Sequence, residues 1–276
     1  MTKTLIIDPG HGGKDGGARG FGVDEKDWNL KMSLYQYIRL KALGVDVSLT
    51  RREDNTLEPV QRVARIKNQY DLCLSNHWNA FNGEARGVEG IYSVHGKPDL
   101  ATDLVDRVVA KTGLPKRRVF KREIKKGVDY YYMHRLTGKT ETVILEYGFI
   151  DHPTDFNHYA DNTQFQLAAE AVIEGLCLAT GHVYRQPEAG VSVLKSIALK
   201  KDSGKKRLVS HHAGKLRFYN KPSWSDKDVF GHVTFGQGFP TVVKKLKVGR
   251  GEQYQVKNSK GDVYYITASP AYVNVL

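Results

Sequence analysis

Apolar and polar positions over residues 1–181 alternate between short apolar runs and stretches of helical period. "TLIID" (4–8), "VDVSLT" (45–50), "DLCLSNH" (71–77), "GVEGIYSV" (87–94) and "ETVILEYGF" (141–149) read as strands. Between them, residues 25–44 place Leu30, Leu34 and Ile38 on one face and stop at Gly44, while 58–70, 97–113 and 161–181 also read as helices. Such alternation predicts an α/β domain whose mainly parallel, twisted sheet is flanked by helices.

Beyond residue 190 the pattern changes. "KLRFYN", "HVTFGQG", "TVVKKLKVG", "EQYQVKN" and "DVYYITA" are short alternating segments broken by Gly, Pro and Asn, which predicts a small all-β barrel or sandwich. A Gly and a Pro follow the last long helix in "TGHVYRQPEAGVSV", so the expected domains are 1–182 and 191–276, joined by a linker at 183–190.

Charge follows the same division. Residues 1–181 hold 25 Lys+Arg against 24 Asp+Glu, whereas 182–276 hold 17 against 6, so the tail carries 17 − 6 = +11 of the net +12. With 40% apolar residues the chain is not disordered, and its apolar runs fall short of the ~18 residues of a membrane span. Met1–Thr4 lead directly into a strand and not into a signal peptide; the expectation is a protein made in the cytoplasm, without stable membrane association. Cys73 and Cys177 each lie in an apolar segment, which argues for two buried thiols and against a disulfide framework.

Ligands bind α/β sheets at the carboxyl ends of the strands. His11 lies just past the first strand, His77 ends "DLCLSNH" and Glu146 ends "TVILE", so three candidate groups emerge at one sheet edge. Glu25 joins them from the start of the first long helix, after a loop whose glycines let the chain turn back. Two imidazoles and a carboxylate suit zinc and leave one coordination position open, which points to catalysis. Such a site also needs a general base that is not a ligand, and Glu146 fits. The glycine-rich "GHGGKDGG" lacks the Ser/Thr after lysine, and the immediate helix, of a phosphate loop. Asp8 is either a fourth ligand or, preferably, a carboxylate orienting His11. Glu146 has an alternative role as ion-pair partner of an arginine in "TRR".

"DPGHGGKDGGA", "EKDWNL", "LTRRED", "SNHWNA" and "ILEYGF", in this order, resemble the zinc-dependent N-acetylmuramoyl-L-alanine amidases of the type 3 family, found among bacterial wall-remodelling enzymes and phage endolysins. The resemblance covers about residues 3–181. It implies zinc on His11, Glu25 and His77, Glu146 as the catalytic carboxylate, and cleavage of the amide between N-acetylmuramic acid and L-alanine. No inserted segment resembles a regulatory plug, and Trp78 and Tyr147 stand beside motif residues where smaller side chains are common. A zinc-dependent wall peptidase is the alternative enzyme; a wall-binding protein with a dead catalytic domain is disfavoured because every ligand position is filled.

In the tail, "LRFYNKPSW" and "GDVYYITASPAYVNV" are similar to bacterial SH3-like wall-binding modules. Phe218, Tyr219, Trp224 and Tyr265 are candidates for a ligand groove, with barrel core as the competing role. The expected partners are peptidoglycan and anionic wall polymers, drawn by the tail's charge; single-stranded nucleic acid is the alternative. The chain is expected to be a monomer, and an endolysin made without a leader would reach the wall only after a membrane lesion. "KRRVFKREIKKG" (116–127) reads either as a solvated charged face or as a loop of the substrate groove.

Overall fold

The computed structural model describes residues 2–187, 206–212, 214–234 and 237–275. The chain divides into two compact units, Met1–Lys200 and Lys201–Leu276. Part of the expected linker and the first stretch of the expected tail domain, residues 188–205, lie outside the described residues.

The first unit runs β1 (Leu5–Pro9), β2 (Arg19–Gly20), β3 (Val23–Asp24), α1 (Glu25–Ala42), β4 (Val47–Leu49), α2 (Pro59–Ala64), β5 (Leu72–Asn79), β6 (Val88–Ile91), α3 (Asp99–Thr112), β7 (Lys116–Phe120), β8 (Glu123–Lys125), β9 (Val128–Asp129), α4 (Tyr132–Arg135), β10 (Glu141–Phe149), α5 (Pro153–Ala160) and α6 (Asn162–Thr180). Its six-stranded sheet has the order β4-β1-β5-β10-β6-β7. β4, β1, β5 and β10 are parallel, as the alternation predicts, while β6 runs antiparallel to β10. Only residues 80–87 join β5 to β6, too few for a crossover helix, so the chain reverses there.

Strand alternation gives the sheet two different faces. Leu5, Ile7, Leu72, Leu74, Trp78, Val143, Leu145 and Tyr147 belong to the large core, together with residues of α1, α3 and α6. Ile6, Cys73 and Ile144 form a smaller cluster with Ile66, Ile91 and Met133 on the other face. Further along the strands, that second face carries polar groups.

Helix α1 departs from the expected stripe. Leu34 and Ile38 are only half-buried, and the buried face includes Met32, Tyr35 and Leu40 interleaved with Asn29, Ser33 and Gln36. Ser33 and Gln36 join a closed network: Asn76 Nδ2 donates to Ser33 Oγ (2.7 Å) and Gln36 Oε1 (2.8 Å), Gln36 Nε2 donates to the Tyr147 hydroxyl (2.7 Å), and that hydroxyl donates to Asn76 Oδ1 (2.9 Å), while Asn29 Nδ2 donates to the Gly10 carbonyl and to Glu25. Hydrophobic periodicity alone passes over such a face, because buried polar side chains are tolerated when hydrogen bonds hold them.

The last helix is bounded as its sequence suggests. Asp161 accepts from the amides of Thr163 and Gln164, and Gly181 closes the helix in the left-handed conformation. Beyond it the chain folds back: the Tyr184 hydroxyl donates to Glu170 (3.0 Å) and Arg39 donates to the Arg185 carbonyl (2.7 Å), so these residues are part of the first unit's packing.

Among its described residues the second unit is all-β apart from one 3₁₀ turn at Asp226–Asp228. β11 (Leu208–Ser210), β14 (Gly238–Phe239) and β18 (Val273–Val275) form a three-stranded sheet, and β12 (Leu216–Tyr219), β13 (Val229–Val233), β15 (Thr241–Val248), β16 (Gly251–Lys257) and β17 (Val263–Thr267) form a five-stranded one. Leu208, Val233, Phe239, Val256, Ile266 and Val273 build its core. Of the four aromatics expected to line a groove, Phe218 packs on that core, Tyr219 is buried, and the Tyr265 hydroxyl accepts from Gln255. Trp224 remains exposed and its indole donates to the Val248 carbonyl; Phe230 is the more exposed aromatic, beside Tyr264.

Candidate metal and catalytic site

Glu25 is the hub of the site. It is the first residue of α1, where the helix N-terminus favours a carboxylate. Its Oε1 accepts from the Trp78 amide (3.1 Å) and Asn29 Nδ2 (3.1 Å) and faces His77 Nδ1 (2.8 Å); its Oε2 accepts from the Ala18 amide (2.8 Å) and faces His11 Nε2 (3.1 Å). One ligand atom each from His11, Glu25 and His77 lies within 4.8 Å of the other two. The structure thus brings together the three residues singled out in the sequence.

The glycines of the loop explain how. A Cβ on Gly10 would sit 2.2 Å from His77 Cε1, and one on Gly17 would sit 2.5 Å from Glu25 Oε2 and 2.6 Å from His11 Cδ2. Gly17 also has φ +68°, and His11 itself adopts φ 58°, uncommon for a residue with a side chain. The backbone passes against the ligand triad where a side chain would intrude.

Asp15 orients His11. Its Oδ2 lies 2.8 Å from His11 Nδ1, which leaves Nε2 directed at Glu25. Asp8, expected in that role or as a fourth ligand, is committed elsewhere: its buried carboxylate accepts from Thr50, Ser75 and Arg62. Arg62 also donates to the carbonyls of Pro9 and His11, and Arg51 donates to those of Pro9 and Gly10. The pair of arginines ties down the loop's backbone. Asp15 was absent from the expected set because its spacing from His11 says nothing until the Gly12–Asp15 turn closes.

Glu146 enters the same cavity, about 440 Å³, which Asp8, Asp15, Glu25, Arg62, His77, Tyr131 and Tyr132 also line. It lies within β10, opposite His77 in register, so both strands continue past the residues expected to end them. Glu146 Oε2 is buried without a hydrogen-bond partner. The arginines of "TRR" do not pair with it: Arg51 holds carbonyls and Arg52 donates to the Tyr37 hydroxyl. On its other side Glu146 faces Glu89 of β6, a buried carboxylate held by Asn79, Arg117 and Arg118.

These surroundings shift the titrations in opposite directions. Burial, followed by the charges of Glu25 and Glu89, pushes the Glu146 carboxyl well above the usual range. Burial acts the same way on Glu25, but its contacts with His11 and His77 outweigh it and hold that carboxyl well below its ordinary value. Burial lowers His11, yet the hydrogen bonds and charges of Glu25 and Asp15 prevail and raise it to about 9.

The donor set is two imidazole nitrogens and one carboxylate oxygen, a combination fitted to zinc, and three protein ligands leave room for substrate. The rings of Trp78 and Tyr147 are buried in the large core, stacked at 4.8 Å, and Trp78 meets the site through its backbone amide on Glu25.

Comparison with known proteins agrees with this architecture. The chain is 32% identical over 177 residues to the probable cell wall amidase LytH of Staphylococcus aureus, covering 63% of this chain and 57% of LytH. It is 70% identical over 60 residues to the N-acetylmuramoyl-L-alanine amidase BlyA of Bacillus subtilis, 22% of this chain and 16% of that protein. The chain therefore spans only part of these relatives. Among solved structures, the catalytic domain of the amidase CwlV from Bacillus (Paenibacillus) polymyxa var. colistinus superposes with a TM-score of 0.58 at 27% identity, covering 64% of this chain and 97% of that domain. Residues 5–177, more than half of the chain, match the family described as N-acetylmuramoyl-L-alanine amidase, and the chain belongs to that family.

Proposed function

We propose that the chain hydrolyses the amide joining N-acetylmuramic acid to L-alanine in peptidoglycan, with zinc held by His11, Glu25 and His77 and with Glu146 as the base. The observation that carries this reading is the convergence of the three donor atoms with an unpartnered, buried Glu146 oxygen in one cavity. Bound zinc would supply Lewis acidity toward the scissile carbonyl and toward water. Glu146 takes a proton from the attacking water and passes it to the departing alanine nitrogen; burial and the neighbouring carboxylates raise its proton affinity, which favours the first transfer. Asp15 keeps Nδ1 of His11 occupied so that Nε2 stays available, and the Trp78 and Ala18 amides fix the Glu25 carboxylate. The test is mass spectrometry of digested peptidoglycan: new L-alanine amino termini support the amidase reading, and new termini within the stem peptide support the wall-peptidase alternative.

The second unit is read as an SH3-like module that holds the enzyme on anionic wall polymers and not on nucleic acid; its lysines and the exposed Trp224 and Phe230 support this. Retention on purified walls set against oligonucleotide binding separates the two. A phage lysin acting on the wall after release, as a monomer, completes the reading. Light scattering tests the monomer, and lysis on co-expression with a membrane-permeabilising protein, but not without one, tests the route.

A further inference from the structure

The stretch 121–127, "KREIKKG", carries Lys121, Arg122, Lys125 and Lys126 against the single acid Glu123. In the structure it forms β8 and the turn into β9, and all seven residues are exposed. The preceding basic residues are committed: Lys116 pairs with Asp106, and Arg117 and Arg118 pair with Glu89. Lys121, Lys125 and Lys126 have no ion-pair partner among the described residues. Ile124, 58% exposed, stands among them. An uncovered strand with uncompensated cations and an apolar side chain is a surface without an internal structural role.

This hairpin adjoins the cavity. β9 continues into Tyr130, Tyr131 and Tyr132, of which the last two line the cavity wall. The Arg122 guanidinium lies 3.8 Å from the centre of the Tyr130 ring and also interacts with the Tyr131 side chain. The Tyr130 amide donates to the Arg122 carbonyl (2.8 Å), which holds the two together. From Tyr131 back to Lys126 is five residues, at most about 17 Å of extended chain.

The cavity lining holds no unpaired cationic side chain: its one arginine, Arg62, is paired with Asp8, and His11 lies against Glu25 and Asp15. The leaving group of the proposed reaction is a peptide beginning with L-alanine, and every peptide ends in a carboxylate. The cavity offers those carboxylates no unpaired side-chain cation, whereas an extended peptide of four or five residues spans the distance from Tyr131 to the hairpin tip, where unpaired cations stand. We propose that Arg122, Lys125 and Lys126 form a subsite for the carboxylates of the stem peptide, with Tyr130 and Ile124 packing on its apolar side chains. This inference rests on the amidase reading above.

Affinity is measured by fluorescence anisotropy on the full chain carrying E146Q, so that binding is read without turnover. The probes are a labelled soluble muropeptide with free carboxylates and the same muropeptide with its carboxylates converted to amides. K125E/K126E is expected to weaken binding of the free acid about three- to tenfold, as reversing two exposed charges does, and to leave the amide unchanged. Added salt should shrink the difference. Equal affinity of the parent and K125E/K126E proteins for the free acid overturns the subsite, as does an equal loss on both probes. A loss seen only on walls carrying phosphate polymers, and not on the muropeptide, also overturns it. Failure of the amidase reading shows separately, as the absence of L-alanine amino termini after digestion with the protein retaining Glu146.

Discussion

His77 and Glu146 are direct partners across the parallel β5–β10 pair, and both line the cavity. This register sets the proposed base beside a proposed ligand through backbone hydrogen bonding alone. Glu146→Gln preserves shape but cannot accept the water's proton, so turnover should fall by roughly 10²–10⁴-fold while zinc stays bound. Without zinc, the unpartnered oxygen and the carboxylates of Glu25 and Glu89 make the ionised side chain costly, and in the chelated protein its neutral replacement should raise the melting temperature by about 2–4 °C. Normal turnover in a zinc-loaded variant would remove Glu146 as the base.

How far the sequence reveals this site depends on which interactions are local. The parallel core and the triad are legible, because strand ends and helix starts announce themselves in periodicity and glycine placement. Asp15 and Glu89 are not: one acts through a turn closed by a Gly12–Asp15 bridge, and the other through arginines 28 and 29 residues away. β7 and β8 read as a plain charge run because most of their side chains are charged and exposed, with only Val119 and Phe120 packing inward. Trp78 and Tyr147 mislead for the opposite reason, since adjacent residues of a strand face opposite sides.

Two aspartates of the same motif should separate structure from ligand orientation. Asp8→Asn leaves the buried Arg62 guanidinium without its counter-charge and should destabilise the fold by about 3–5 kcal/mol. Asp15→Asn should cost little stability, because Asp15 is largely exposed, yet weaken zinc binding about 10–100-fold. Thermal unfolding and metal titration on both proteins check this. Full zinc affinity in the Asp15 variant would end its orienting role.

Removal of a ligand should act on metal and activity together. His11→Ala and His77→Ala each delete one of three donors, so metal analysis should find most of the zinc gone and hydrolysis lost with it. Full zinc content in both variants would eliminate the proposed ligand set.

A chain ending at residue 187 should fold and retain zinc but bind walls far less well at low salt, because the tail's charge is gone. Ending it at 182 instead removes the Tyr184 and Arg185 contacts with Glu170 and Arg39, and should lower thermal stability relative to the 187 form. Equal wall retention by the shortened and full chains would refute a targeting role for the second unit.

Metal removal should leave a distinctive dependence on pH. Without zinc, His11 is protonated against Glu25 and Asp15, and its pKa is raised from 6.5 to about 9. A group whose folded pKa lies above its unfolded value contributes stability that is complete below the unfolded pKa and disappears as pH rises through the folded one. The chelated protein should therefore lose of order 2–3 kcal/mol between pH 6.5 and pH 9 from this residue. Zinc requires the neutral imidazole, so binding at pH 7 should release a proton from His11, and apparent affinity should climb up to tenfold per pH unit until pH 9. Zinc held by the neutral His11 imidazole would take the place of that proton, and the decline over the same window should vanish in the loaded protein. Melting curves from pH 6 to 9.5, with and without chelator, check both halves; parallel profiles would mean that His11 does not exchange a proton for the metal.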